Sequence, residues 1–289
     1  MGRARIKQLN ERELAFSKSR YCIFCGGSVP ATTVDHYPPR AAFRGNRAPE
    51  GYVFPACSSC NSGSREADNW AGFLSMIDPS IEWSSDELER NIKRLVSLDR
   101  ARPGLIREVF GGTVIEKKAM ARRLQMTRAP GQTYADLPIV KVPMAAQEWM
   151  DIFAPKLTKA LHYEHTRRIP PLNVGLQYWW YTNASKLEGR IAEIINGDFG
   201  FPNVRRANVD LSPQFNYGYQ VSTDGELGLF VIGFRFAFMI ISAITFDPAV
   251  TDRVVRRART SFEEGGTDQA LNYSRDAADI FELPRWNSA

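Results

Sequence analysis

Apolar positions recur along this chain with two periods, helical in the first two thirds and strand-like near the end. Downstream of Asn61, the segment NSGSREADNWAGFLSMI places Trp70, Leu74 and Ile77 at i, i+4 and i+7, which predicts an amphipathic helix with Asn61 near its beginning. The stretch SSDELERNIKRLVSL predicts a second helix: Ser84 and Glu87 stand in capping-box register, and Leu88, Ile92, Leu95 and Val96 share a face. A third, EWMDIFAPKLTKALHYEHTRR, carries Trp149, Ile152, Phe153, Leu157, Ala160 and Leu161 along one stripe, with Pro155 marking a kink or a new start. The last third reads as sheet with one helix. VGLQYWWYTN is aromatic strand material, SKLEGRIAEII is helical, and FNYGYQVS meets LGLFVIGFRF across Thr223-Asp224-Gly225-Glu226, a hairpin signal. The apolar run from Leu227 to Phe246 approaches membrane-span length, but Arg235, two glycines and β-branched residues mark it as buried strands.

Near the N-terminus the pattern is shorter. Thr32, Thr33 and Val34 are β-branched and predict the end of a short strand, Pro38 and Pro39 stop regular structure just after His36, and YVFPA supplies a second strand. The expectation is an α+β chain: a small N-terminal module over residues 1–78, followed over 79–289 by a larger α+β domain that positions a substrate or binds a partner.

Composition narrows the setting. The chain has 289 residues, 44% hydrophobic and 24% charged, enough for one large or two modest domains. The stretch MGRARIKQLNERELAFSKSR is charged throughout and lacks the apolar core of an export signal, so a cytoplasmic location without a membrane partner is expected. A net charge of +5 and a pI near 9.0 permit a polyanionic partner without requiring one. The basic runs KKAMARRLQMTR (117–128) and RVVRRAR (253–259) suit either phosphate or a solvated helix face.

The chemistry concentrates early. All four cysteines fall in two CxxC pairs, Cys22/Cys25 and Cys57/Cys60, each followed by turn-forming residues. In a reducing compartment two such knuckles point to a structural zinc ion held tetrahedrally by four thiolates, since a redox CxxC would leave the second pair unexplained. Between the knuckles lie Asp35 and the first of only three histidines, His36. Taken alone, an Asp-His pair is as readily a turn cap as a catalytic group, and Asn61 can end a knuckle in the left-handed conformation. His162 and His165 sit at i, i+3, but His165 continues the apolar stripe, which favours hydrogen-bonded, partly buried imidazoles over a metal site.

The order C-I-F-C-G-G, V-D-H-Y-P-P, P-A-C-S-S-C-N resembles the HNH nucleases, whose ββα-metal core is often braced by a four-cysteine zinc site. The resemblance implies a metal-dependent endonuclease acting on nucleic acid, DNA ahead of RNA. His36 would be the general base, and Asp35 and Asn61 would hold a catalytic magnesium or manganese ion. Two positions depart from the family pattern: Tyr52 stands where a bracing asparagine is usual, with Asn46 six residues earlier, and Ser64 replaces a Lys or His, with Arg65 beside it. The alternatives are a zinc module that binds nucleic acid without cutting it and a zinc-stabilised protein-interaction domain.

Overall fold

The charged N-terminal stretch, which shows no apolar period, forms helix α1, Arg3–Lys18, in the computed structural model. The structure describes residues 3–78, 81–123, 125–137, 139–185 and 199–247. Among its described side chains, helix α1 is held by the buried Ala15 and by Lys18, whose Nζ donates to the Gly51 carbonyl (2.7 Å) and the Glu164 carboxylate (2.8 Å). Strands β1, Thr33–His36, and β2, Val53–Ala56, pair antiparallel with Asp35 opposite Phe54 and His36 opposite Val53. As the β-branched run and the two prolines predict, His36 is the last residue of its strand. Cys57 caps the short helix α2, Ser58–Ser62, and Gly63 and Ser64 separate it from α3, Arg65–Leu74. Asn61 therefore lies on a helix of its own rather than at the start of the amphipathic one, and Ile77 falls beyond the end of α3.

Helix α4, Ser85–Ala101, begins at the expected cap: the Glu87 carboxylate accepts from the Ser84 N–H (3.1 Å) and hydroxyl (2.9 Å). Its buried stripe differs from the apolar one. Leu88 and Ile92 are 47% and 62% exposed, and the helix buries Glu87, Asn91, Leu95 and Leu98 instead. Leu95 and Leu98 supply the apolar part of that face, and Glu87 is accommodated on it because the Arg44 guanidinium bonds both of its oxygens (2.7 and 2.8 Å). Helices α5, Leu105–Phe110, and α6, Val114–Arg123, follow. Within the basic run, Lys117 is spent internally, donating to the carbonyls of Ala135 and Leu137.

Helix α7, Ala145–Thr166, runs unbroken through Pro155 and ends where Arg167 takes a left-handed φ of 57° and its N–H bonds Tyr163. Ile152 is exposed, but Trp149, Phe153, Leu157, Ala160 and Leu161 are buried as their spacing predicts. Strand β3, Gly175–Thr182, a two-residue ribbon of β4 and β5 (Arg205–Arg206, Val209–Asp210), β6, Asn216–Val221, β7, Leu227–Phe234, and β8, Phe238–Thr245, complete the described chain. The four long strands form one antiparallel sheet in the order β3-β8-β7-β6. The β6/β7 turn uses Gly225 at φ 69°, and the long apolar run resolves into the β7/β8 hairpin with Arg235 at φ 52° in its bend. The helix read over 185–195 and the basic cluster at 253–259 lie outside the described residues. Among the described residues no helix is long and apolar enough to cross a membrane.

One hydrophobic cluster crosses residue 78. On the N-terminal side Tyr37 packs on Phe153 (ring centroids 5.9 Å) and Trp70 on Trp149 (5.3 Å), while Phe153 continues to Phe234 of the sheet (5.8 Å). Burying a side chain the size of Phe153 contributes roughly 1.5–3 kcal/mol, so α7 is the element that binds the two parts of the chain together.

Candidate metal centre and the Asp35-His36 site

The four cysteines meet. One ligand sulfur from each of Cys22, Cys25, Cys57 and Cys60 lies within 4.8 Å of all the others, and none is in a disulfide. A tetrahedral zinc with bonds of about 2.3 Å sets its sulfurs about 3.8 Å apart, so the cluster needs only a small contraction to hold the ion. Local geometry shapes each knuckle: Gly26 and Gly27 take φ of 68° and 70°, and a side chain on Gly26 would strike the Leu172 backbone at 2.7 Å. Burial opposes ionisation of Cys57, but the Ser59 hydroxyl and groups of Cys60 outweigh it and bring the thiol down to about 6. Burial instead pushes the Cys22 thiol up. A zinc tetrathiolate carries two excess negative charges. Lys159, bonded to the Phe24 carbonyl (3.2 Å), places an ammonium group beside it. The cysteine set, its spacing and its charge environment all fit zinc.

The residues expected to offer oxygen to a cation behave otherwise. Asp35 is 7% exposed, and its Oδ2 accepts from Lys156 Nζ at 2.5 Å. The same ammonium donates to Ser64 Oγ (2.6 Å) and the Cys60 carbonyl, so its three protons are all used. The network extends outward: Ser64 donates to Asp68 Oδ2 (2.9 Å) and the Tyr37 hydroxyl donates to Asp68 Oδ1 (2.6 Å). Burial pushes the Asp35 carboxyl up to about 6 against the pull of Lys156, which leaves the pair ionised at neutral pH. Asn61 turns its amide nitrogen to Thr33 Oγ1 and the Val34 carbonyl (3.1 Å each) and so braces β1. These residues do not fit a catalytic magnesium or manganese ion. The oxygens of Asp35, Ser64 and Cys60 already surround a cation, and a dication brought to the same carboxylate would face the ammonium at close range.

His36 stands apart from this buried pair. Its Nε2 is 2.7 Å from Arg40 Nη2 and 3.4 Å from Glu11 Oε2, and Arg40 Nη2 donates to the same Glu11 oxygen at 2.8 Å. A guanidinium can only donate, so in this arrangement the imidazole offers Arg40 its lone pair. The three side chains remain partly open, at 17% for His36 and Glu11 and 45% for Arg40. Neither candidate brace reaches His36 with its side chain: the Tyr52 hydroxyl bonds that of Tyr217 (2.9 Å), although the Tyr52 carbonyl accepts the Tyr37 N–H (3.3 Å), and Asn46 accepts from Arg94 (2.8 Å). His162 and His165 are structural. Burial brings each down to about 4, the first bonded to the Gly225 carbonyl and the second to the Tyr217 hydroxyl, with its ring stacked on Tyr219.

Three residues of the site escaped the sequence reading. Lys156 carried a signal, since Trp149, Phe153, Lys156, Ala160 and Tyr163 share the buried helical register and a lysine there must find a partner. Arg40 lies one helical turn's spacing after His36 but in no periodic segment, and Glu11 comes from a helix with no apolar stripe. The fold and site define an α+β chain with a four-cysteine cluster suited to zinc. No family model, curated protein or solved structure matches the chain.

Proposed function

We propose that this chain is a zinc-braced phosphodiesterase of the HNH kind, acting on nucleic acid, with His36 as the group that moves the proton. The observation that carries the reading is the placement of His36. It ends β1 of a strand-strand-helix unit beside the cysteine cluster, and it meets Arg40 and Glu11 at a partly exposed position. An imidazole suits proton transfer near neutral pH, and a guanidinium suits the charge that grows on a phosphate under attack. The zinc would hold the fold. No magnesium or manganese step is included, because Lys156 holds the carboxylate such an ion would need.

The buried Asp35–Lys156 pair also favours a second reading, a zinc module that binds nucleic acid without cutting it. Incubating the purified protein with plasmid DNA, single strands and RNA, alongside His36→Ala, separates the two. The phosphodiesterase reading expects cleavage that falls about a hundred- to ten-thousandfold in the variant, with zinc content and binding retained. Wild-type-rate cleavage by His36→Ala would remove His36 from the chemistry. Salt-sensitive binding with no cleavage of any substrate would establish the binding module.

A further inference from the structure

Phosphodiester hydrolysis needs a water activated as nucleophile and a cation on the phosphate, tasks that divalent ions commonly perform. Here the cation position beside Asp35 is filled from within by Lys156, whose Nζ is only 8% exposed with its side chain and is committed to three oxygens. RNA, unlike DNA, carries its own nucleophile, the 2′-hydroxyl. Cleavage by that hydroxyl asks for three things only: a base for its proton, an acid for the departing 5′-oxygen, and a donor fork on the non-bridging oxygens. The surface cluster beside His36 contains one of each.

Resting on the reading of His36 as the reactive residue, we infer that the chain cleaves RNA by metal-independent transesterification, with Glu11 as base, His36 as acid and Arg40 on the phosphate. Glu11 Oε2 and His36 Nε2 lie 3.4 Å apart with Arg40 Nη2 within 2.8 Å of both, so a phosphate that parts Glu11 from His36 would meet all three, with base and acid on opposite sides of phosphorus. When the phosphate oxygens take the Arg40 N–H groups, the imidazole is released from that donor and picks up a solvent proton beside the Glu11 carboxylate. The step then balances. Glu11 removes the 2′-hydroxyl proton, the 2′-oxygen bonds phosphorus, the P–O5′ bond breaks, and His36 gives its Nε2 proton to the 5′-oxygen. The products are a 2′,3′-cyclic phosphate and a 5′-hydroxyl. Glu11 is left protonated and His36 neutral, and proton exchange with water resets both. Arg40 is the fitting residue for this place, since its planar fork matches two phosphate oxygens where a lysine would match one.

The test compares an RNA oligonucleotide, the same sequence in DNA, and RNA with a single 2′-deoxy position, in buffer stripped of divalent ions but with protein zinc retained. The expected result is RNA cleavage giving cyclic phosphate ends by mass spectrometry, with no cut at the 2′-deoxy position. Glu11→Gln and His36→Ala should each slow it about a hundredfold or more while zinc content and circular dichroism stay unchanged. A readout separate from cleavage uses uncleavable 2′-O-methyl RNA: Arg40→Gln should lower the salt slope of its binding by about one. Cleavage of all-deoxy strands, linear phosphate products from RNA, or a strict need for magnesium would overturn this inference and leave His36 phosphodiesterase chemistry standing. No cleavage of any strand would overturn both.

Discussion

Lys156 shows how one side chain can decide what a site accepts. Its ammonium neutralises Asp35 in a place that water scarcely reaches, and removing it would strand a buried carboxylate. Lys156→Met should therefore cost about 3–5 kcal/mol at neutral pH, measured by urea denaturation, and adding Asp35→Asn should recover much of it. The pH dependence has a definite sign. The folded carboxyl, at about 6, lies above its ordinary value of 3.8, so the folded state holds the proton more tightly and this group's contribution to stability falls as pH rises between those values. Without the ammonium the carboxyl of the variant lies higher still, so the deficit of Lys156→Met should shrink as pH falls towards 6 and level off below it. A deficit unchanged by pH would mean that the pair is not ionised. At this scale the sequence displayed the cysteines and His36 openly, because CxxC spacing and a strand-ending His-Tyr-Pro-Pro are local signals. The partners of His36 and Asp35 were hidden because Glu11 and Lys156 reach them from distant helices.

Elements followed their local signals wherever nothing tertiary opposed them. The β6/β7 hairpin, the α4 cap and the continuous stripe of α7 were legible because each depends on residues a few positions apart. Helix α4 shows the limit: its apolar positions predicted a face with Leu88 and Ile92, whereas the buried face takes in Leu98 and Glu87, the latter paired with the distant Arg44. That pairing holds the Glu87 carboxyl down at about 2, with the bond to Arg44 the largest cause. Its stabilisation is complete above the ordinary carboxylate value of 4.5 and lost as pH falls towards 2. Glu87→Gln should remove that acid-limb loss and lower stability at pH 7 by about 1 kcal/mol, through loss of the ion pair with the half-exposed Arg44, since glutamine can still accept at the capping-box position. An acid limb that Glu87→Gln leaves unchanged would assign the transition to other carboxylates. Helix α1 had no such signal, since its sequence is charged throughout and Ala15, buried among its described side chains, makes no stripe.

At the scale of the molecule, the cysteine cluster and the shared core are one stability problem. A structural zinc contributes on the order of 10 kcal/mol of apparent binding free energy, comparable to the whole stability of an ordinary domain. Metal analysis should find about one zinc per chain, and Cys57→Ser should lose it. Because Tyr37 and Trp70 pack directly on α7, calorimetry of that variant should show the sheet losing stability along with the module, rather than an unaffected second transition. Protein purified without chelator and found free of zinc would refute the assignment. The same helix bears on how such a chain can be inherited. The first 78 residues look transplantable, with their own cysteines, strands and histidine, yet the ammonium that balances Asp35 and the indole that covers Trp70 are encoded more than seventy positions later. A gene rearrangement that moved only the early segment would deliver an unbalanced charge and an uncovered aromatic face, so these two stretches of the chain can travel only as a pair.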